Sequence, residues 1–168
     1  NEPPDHIAFQ LNLLAELGQS VSEILASHWR EYGRYYYQRQ DYFIADRETA
    51  DALIDALRAS LDRLPGSSAA GSNIVSADDF HYVDPVDHSE SRHQGVRLTC
   101  DDGSRMVYRL SGTGTSGATL RVYLEQYEAS DGAHDKPLAT VLARPAARAA
   151  EIAGIERYTG LRAPSAAI

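Results

Sequence analysis

The stretch YRLSGTGTSGATLRVY, residues 108–123, carries the most distinctive pattern in this chain. Seven consecutive residues at its centre, 111–117, are Gly, Ser or Thr. Polar and apolar residues alternate on both sides of these seven, as they do in strands that bury one face. The stretch therefore predicts a β-hairpin that carries a glycine-rich loop.

Arg109 and Arg121 stand just before and just after this loop, both on the polar face of their strands. Backbone N–H groups in a glycine-rich turn can converge on an anion, because glycine permits the backbone conformations that such a turn requires. Two arginines on adjacent strands could then hold a dianion through charge-assisted hydrogen bonds. Spacing alone fits this anion site and a solvated hairpin loop equally well.

Two common nucleotide-binding loops do not fit this stretch. No lysine follows the last glycine, as it would in a P-loop. The loop leads from strand to strand, whereas a dinucleotide-binding fingerprint leads from strand to helix.

Further strands are predicted before the loop. Apolar and polar residues alternate over 95–101 and again over 104–110, and Asp102 and Gly103 between them form a two-residue hairpin signal. Residues 79–83 predict an earlier strand. We therefore expect an antiparallel meander of three or four strands with one apolar face, on which Cys100 is buried.

Helices are predicted before and after these strands in the sequence. One begins after Asp5 and ends before Gly18, and a second follows Ser20, which forms a capping box with Glu23, and ends at Gly33.

The third predicted helix is capped by Asp46, buries a stripe of leucines and other apolar residues that runs from Ala50 to Leu64, and is broken by Pro65 and Gly66. The last has Pro145 near its first turn and Gly160 just past its end. Residues 34–43 are predicted to be a tyrosine-rich extended connector, and residues 67–72 have linker composition. This order of elements predicts an α+β domain whose helices cover one face of the sheet.

Composition limits the function classes. The chain has 168 residues, a net charge of −8, a pI of about 5.1 and one cysteine. This length suits one domain with a possible appendage. A single cysteine excludes a disulfide framework, and the negative charge argues against a basic nucleic-acid surface. No apolar run approaches the roughly 20 residues of a membrane span, and the N-terminus lacks the pattern of a secretory signal. We expect a soluble, cytoplasmic protein.

Two other groups of residues could form a binding site. Two histidines and two aspartates lie close together in the sequence: His88, His93, Asp84 and Asp87. No helical i, i+4 pair supports a metal site there, so a solvated loop is favoured. The tyrosines at 35–37 could stack on nucleic-acid bases, although their stretch is also predicted to be an extended connector.

Several stretches together resemble one family. RLSGTGTSGATLRVYLEQYE resembles the phosphate-binding loop near the C-terminus of phosphoglucomutases, in the α-D-phosphohexomutase superfamily. SVSEILASHWREYGR, DFHYVDPVD, SRHQGVRL and ERYTGLRAPS agree with the same family in the right order. The resemblance covers nearly the whole chain but only the last part of a family member.

The resemblance implies a fold and a function. The fold is a TATA-binding-protein-like antiparallel sheet with helices on one face. The family has four domains, which interconvert glucose 1-phosphate and glucose 6-phosphate through a phosphoserine in the first and Mg²⁺ held in the second. The fourth domain holds the phosphate that is not reacting. Residues 34–168 would be that domain, and residues 1–33 the end of the third domain and the link to it.

Carried over by motif, the ligand of this chain is a hexose phosphate, or inorganic phosphate or sulfate in its place. The implied contacts are Arg109, Ser111, Gly112, Thr113, Gly114 and Arg121, with Thr115 and Ser116 as weaker candidates.

The chain lacks the family's other motifs. No serine-nucleophile motif and no D-x-D-x-D loop is present, so we expect no catalysis, cofactor or metal site in this chain alone. The implied partners are domains 1–3 of the same enzyme, and we expect neither a nucleic acid nor a membrane as a partner. Polar residues early in the chain also fit an alternative, a domain excised or redesigned as a stable scaffold without activity.

Overall fold

A computed structural model describes residue 18, residues 20–112 and residues 117–168. The described residues fall in two compact units. One contains those up to Arg34 together with Glu128–Asp135, and the other contains Tyr35–Tyr127 and Lys136–Ile168. The helix predicted before Gly18 lies outside the described residues.

The described part of the chain contains four α-helices and seven strands. The helices are α1 (Val21–Tyr32), α2 (Arg47–Arg58), α3 (Leu138–Ala153) and α4 (Ile155–Thr159). The strands are β1 (Arg34–Ile44), β2 (Ser68–Ala69), β3 (Ser72–Val83), β4 (Glu90–Cys100), β5 (Arg105–Ser111), β6 (Ala118–Glu128) and β7 (Ala166–Ala167). A 3₁₀ turn, Leu61–Arg63, follows α2.

The strands form one antiparallel sheet in the order β2-β3-β4-β5-β6-β1-β7. The predicted hairpins are both present. Thr99 pairs with Arg105 across the turn at Asp102–Gly103, and β5 pairs with β6 from Arg105 opposite Glu125 to Ser111 opposite Thr119. The glycine-rich stretch therefore connects two central strands of the sheet.

Alternation along the central strands separates a buried face of the sheet from an open one. The buried face carries Val96, Leu98, Cys100, Met106, Tyr108, Leu120, Val122 and Leu124, each at most 3% exposed. Residues of α2, α3 and α4 complete this core. Burial raises the pKa of the Cys100 thiol to about 11, as expected for a small side chain on the apolar face.

Helix α2 begins as the sequence predicts, but it ends at Arg58 and a 3₁₀ turn follows, so the predicted helix was too long at its C-terminal end. Asp46 caps it by accepting the backbone N–H of Thr49 at 2.9 Å, and its buried stripe consists of Ala50, Leu53, Ile54 and Leu57. In the other unit, the predicted capping box of Ser20 and Glu23 begins α1. Within the described residues, no helix combines the length and apolar content that a membrane crossing requires.

The prediction of three or four strands was too low. Residues 34–43 are extended, as predicted, but they form β1 inside the sheet. Buried and exposed positions do not alternate regularly in β1, which hid its role in the sequence. Residues 67–72 are not a linker, because Ser68 pairs with Asn73 and Ala69 with Ser72 in a tight hairpin.

The last helix also begins earlier than predicted. Pro145 lies inside α3, which starts at Leu138, and a separate helix α4 follows after Gly154. A proline within a helix removes one backbone donor, and here the buried Pro145 ring packs into the core. Gly160 ends α4 in the left-handed conformation, as predicted.

The two faces of the sheet should respond differently to the same substitution. Val122→Ala removes two methyl groups from the buried face, and we expect it to lower the free energy of unfolding by about 2 kcal/mol. Val107→Ala, on the open face of the neighbouring strand, should cost clearly less. Urea unfolding measures both variants, and equal losses would contradict the assignment of the two faces.

Candidate functional site

Arg109 and Arg121 lie directly opposite each other on β5 and β6. Residues directly opposite in an antiparallel pair project from the same face of the sheet. Here that is the open face, because Tyr108 and Val122 beside them are buried on the other. Two positive side chains are thus paired across the strands at the base of the glycine-rich loop, as the sequence pattern predicted.

Neighbouring arginines on the open face are neutralised, whereas these two are not. Arg97 pairs with Asp78 at 2.9 Å, and Arg105 pairs with Glu125 at 2.6 Å. Arg109 and Arg121 form no ion pair with any residue in the described ranges. Like charges directly opposite each other destabilise a sheet. The pair therefore leaves concentrated positive charge at one place on this face.

The guanidinium of Arg121 is partly withdrawn from solvent. Its Nε is buried and has no hydrogen-bond partner among the residues described. A buried donor left unsatisfied costs about 1–3 kcal/mol, and more when it is charged. An acceptor brought by a ligand would remove that cost.

Gly95 on β4 makes room for Arg109. A Cβ atom at position 95 would lie 2.8 Å from Cγ of Arg109 and 2.7 Å from the carbonyl oxygen of Tyr108. Any side chain there would displace the stem of Arg109. At its far end, Arg109 has a long contact of 3.5 Å to Gln94 and no other hydrogen bond among the described residues. The sequence analysis did not identify Gly95 as part of the site, because its role depends on contact with the neighbouring strand.

Both ends of the glycine-rich loop contact the corner between β1 and α2. The carbonyl of Gly112 accepts a 2.9 Å hydrogen bond from Nη1 of Arg47. Gly117 has a φ of 81°, and a Cβ there would lie 2.8 Å from the carbonyl oxygen of Ile44. Glycine at 117 is thus required both by the backbone conformation and by the close approach of the two chains.

Two cavities lie next to the loop and the arginine pair. One of about 420 Å³ surrounds the base of the loop and is lined by Phe43, Ile44, Ala45, Ser111, Gly112, Gly117, Ala118 and Thr119. Another of about 310 Å³ lies on the open face and is lined by Tyr37, Phe80, Arg97, Arg105, Val107, Arg109, Tyr123 and Glu125.

A larger cavity of about 720 Å³ lies elsewhere, against α3 and α4. It contains none of the predicted contacts, and its Arg162 is already paired with Glu156. Size alone therefore does not locate the site. What distinguishes the arginine pair is that two arginines without an ion pair among the described residues lie directly opposite each other.

A family model of the C-terminal domain of phosphoglucomutase-1 matches residues 34–165. This chain belongs to the phosphoglucomutase family. The phosphoglucomutase of Rhizobium radiobacter is 45% identical over 159 residues, which cover 95% of this chain and 29% of the relative. The cytoplasmic phosphoglucomutase of Solanum tuberosum is 41% identical over 153 residues, 87% of this chain and 26% of the relative.

A solved phosphoglucomutase shares the fold. The crystal structure of parafusin, an exocytosis-sensitive phosphoprotein and phosphoglucomutase from Paramecium, in its open form, superposes with a TM-score of 0.78 at 38% identity. The match covers 89% of this chain and 25% of that one. The expected α+β fold, a TATA-binding-protein-like sheet with helices on one face, is thereby confirmed. The chain spans less than a third of the length of these phosphoglucomutases.

Within this phosphoglucomutase domain, the structure brings four of the predicted contacts together. Arg109, Ser111, Gly112 and Arg121 lie at the two strand ends that flank the loop. The other four, Thr113, Gly114, Thr115 and Ser116, lie outside the described residues.

The histidines and aspartates at 84–93 do not form a metal site in the structure. His93 contacts Asp79 at 2.5 Å, and the carboxylate of Asp84 accepts the backbone N–H of Val86. In the described ranges, no group of three or more His, Cys, Asp or Glu side chains is arranged to hold a metal ion.

Gly117→Ala should be far more costly than Gly103→Ala. Both glycines have a φ of 81°, but only Gly117 has backbone atoms where a Cβ would lie. We expect Gly103→Ala to lower the free energy of unfolding by about 1–2 kcal/mol through backbone strain alone. The forced separation at Gly117 should cost about 1–3 kcal/mol more. Equal unfolding free energies in urea would show that the loop does not need its close contact with β1.

Proposed function

We propose that this domain binds the non-reacting phosphate of a hexose phosphate within a phosphoglucomutase that interconverts glucose 1-phosphate and glucose 6-phosphate. The residues assigned to that phosphate are Arg109, Ser111, Gly112, Thr113, Gly114 and Arg121, with weaker contributions from Thr115 and Ser116.

The arginine pair is the observation that carries this proposal. Two guanidinium groups directly opposite each other, without an ion pair among the described residues, repel each other unless an anion joins them. The buried Nε of Arg121 adds a donor without an acceptor. An anion that contacts both side chains would relieve both costs at once.

A phosphate monoester suits this arrangement better than a singly charged anion. It carries a charge of about −1.5 to −2 at neutral pH and offers three strong acceptor oxygens. Planar guanidinium groups can each donate two parallel hydrogen bonds to such oxygens. The hydroxyl of Ser111, which lines the cavity at the base of the loop, is a further donor.

The proposed contribution of this domain is binding and orientation. Contacts to a remote phosphate hold the substrate in place while its other end reacts, and such binding energy can be used at the reacting centre. No residue described here is assigned a chemical step, and no metal is assigned to this chain. The serine nucleophile and the magnesium loop that the family resemblance implies belong to other domains, which are the proposed partners.

Two further proposals concern the whole protein. We place the boundary of the phosphate-binding domain at residue 34, where the family match begins, and assign residues 1–33 to the preceding domain and link. We also propose a cytoplasmic location, because relatives of Solanum tuberosum and Pisum sativum carry that word in their names.

Inorganic phosphate should bind the 168-residue chain weakly, with a Kd on the order of millimolar. Arg109→Gln and Arg121→Gln should each weaken this binding about tenfold or more, because each removes hydrogen bonds between charged groups. Titration followed by ¹H–¹⁵N NMR measures the affinity and locates the signals that move, which should include Gly112 and Gly117.

Arg97→Gln and Arg105→Gln are the matched controls, since they remove the same charge from the same face of the sheet. They should change the Kd by less than about twofold, because both arginines are already neutralised by carboxylates. If all four substitutions weakened phosphate binding equally, phosphate would be attracted by the general positive charge of this face and not by a specific site. If the unaltered chain bound no phosphate, the result would favour the alternative that the domain is a stable scaffold without a binding function.

A further inference from the structure

Arg47 is held in one orientation by its own helix. It is the first residue of α2, directly after the cap Asp46. Its Nε lies 3.0 and 2.9 Å from the two carboxylate oxygens of Asp51, one turn further along. The hydrogen bond to Asp51 also raises the pKa of the Arg47 guanidinium.

The fixed guanidinium then contacts the entrance of the glycine-rich loop. Nη1 of Arg47 donates to the carbonyl of Gly112 at 2.9 Å, across 65 residues of sequence. A trans peptide unit is planar, so a hydrogen bond to its carbonyl orients the whole unit. The hydrogen bond from Arg47 thereby restricts the orientation of the Gly112 carbonyl at the entrance of the loop.

Glycine alone could not provide this orientation. Gly112 has a φ of 125°, and a Cβ there would find no atom closer than 3.6 Å. No close steric contact therefore constrains position 112, in contrast to position 117 against β1, and glycine itself permits a wide range of φ. A glycine with this freedom loses much conformational entropy when it is ordered. A hydrogen bond from a pre-oriented arginine restricts it before any ligand arrives.

We propose that Arg47 is a positioning residue for the phosphate site: oriented by Asp51, it holds the carbonyl of Gly112 and so keeps the start of the loop, next to Ser111, in place for the phosphate. The inference rests on the proposed function, since it assigns Arg47 to the same site. Arg47 acts through Gly112: its Nε is directed to the carboxylate of Asp51, and its Nη1 donates to the carbonyl of Gly112.

Asp51→Asn distinguishes positioning from simple attraction. This substitution removes the carboxylate that orients Arg47 but keeps the arginine, so the site becomes more positive. If Arg47 only attracted the anion, phosphate would bind Asp51→Asn more tightly. If Arg47 positions the loop, phosphate binds more weakly.

Arg148 and Glu151 on α3 provide matched controls. Arg148 also pairs with a carboxylate of its own helix, at 2.7 Å from Glu151, and also donates to a distant carbonyl, at 3.0 Å from Ser68 on β2. Arg148→Gln and Glu151→Gln therefore repeat the two charge changes near the β2 edge of the sheet, away from the β5–β6 loop.

The test uses the 168-residue chain in two measurements. Without ligand, Arg47→Gln and Asp51→Asn should shift the ¹H–¹⁵N signals of Gly112 and Gly117, and the two control variants should not. With inorganic phosphate, Arg47→Gln and Asp51→Asn should each raise the Kd about fivefold, the effect expected for the loss of one hydrogen bond. The controls should stay within about twofold.

Three results have distinct meanings. Unchanged loop signals in ligand-free Arg47→Gln overturn the positioning role, whether or not phosphate binds. Tighter phosphate binding by Asp51→Asn also overturns it, in favour of charge attraction. If the unaltered chain binds no phosphate, the proposed function fails, and the ligand-free signals alone still decide whether Arg47 fixes the loop.

Discussion

Repulsion between Arg109 and Arg121 is the constraint around which this domain is arranged. The register of β5 and β6 places the two side chains opposite each other, and no carboxylate among the described residues compensates them. A fold selected only for stability would neutralise such a pair, as it does for Arg97 and Arg105 a few residues away. The uncompensated charge is understandable if a phosphate completes the site.

The remaining structure keeps these two arginines in register. A shift of one residue between β5 and β6 would turn Tyr108 and Val122 out of the core, so burial on one face fixes geometry on the other. The same arrangement supports the loop, because its two ends contact the corner between β1 and α2 at Gly112 and Gly117. The strand β1 and the start of α2 therefore contact both described ends of the glycine-rich loop.

Much of this could be predicted from the sequence, for identifiable reasons. Regular alternation in β5 and β6, the capping residue Asp46 and the Asp102–Gly103 turn are local signals, and each was confirmed. Strand β1 was predicted only as an extended connector, because its buried positions follow no simple period. Gly95 and Arg47 were missed, since their roles depend on contacts with distant parts of the chain. The predicted roles of Thr113 and its neighbours in the loop stay predictions.

The most direct test of the account is a crystal structure of this chain grown with inorganic phosphate. We expect one phosphate on the open face, with oxygens within hydrogen-bonding distance of both guanidinium groups, Arg109 and Arg121, and the Nε of Arg121 satisfied. A phosphate bound elsewhere, or the two arginines paired with protein carboxylates at saturating phosphate, would contradict the central claim.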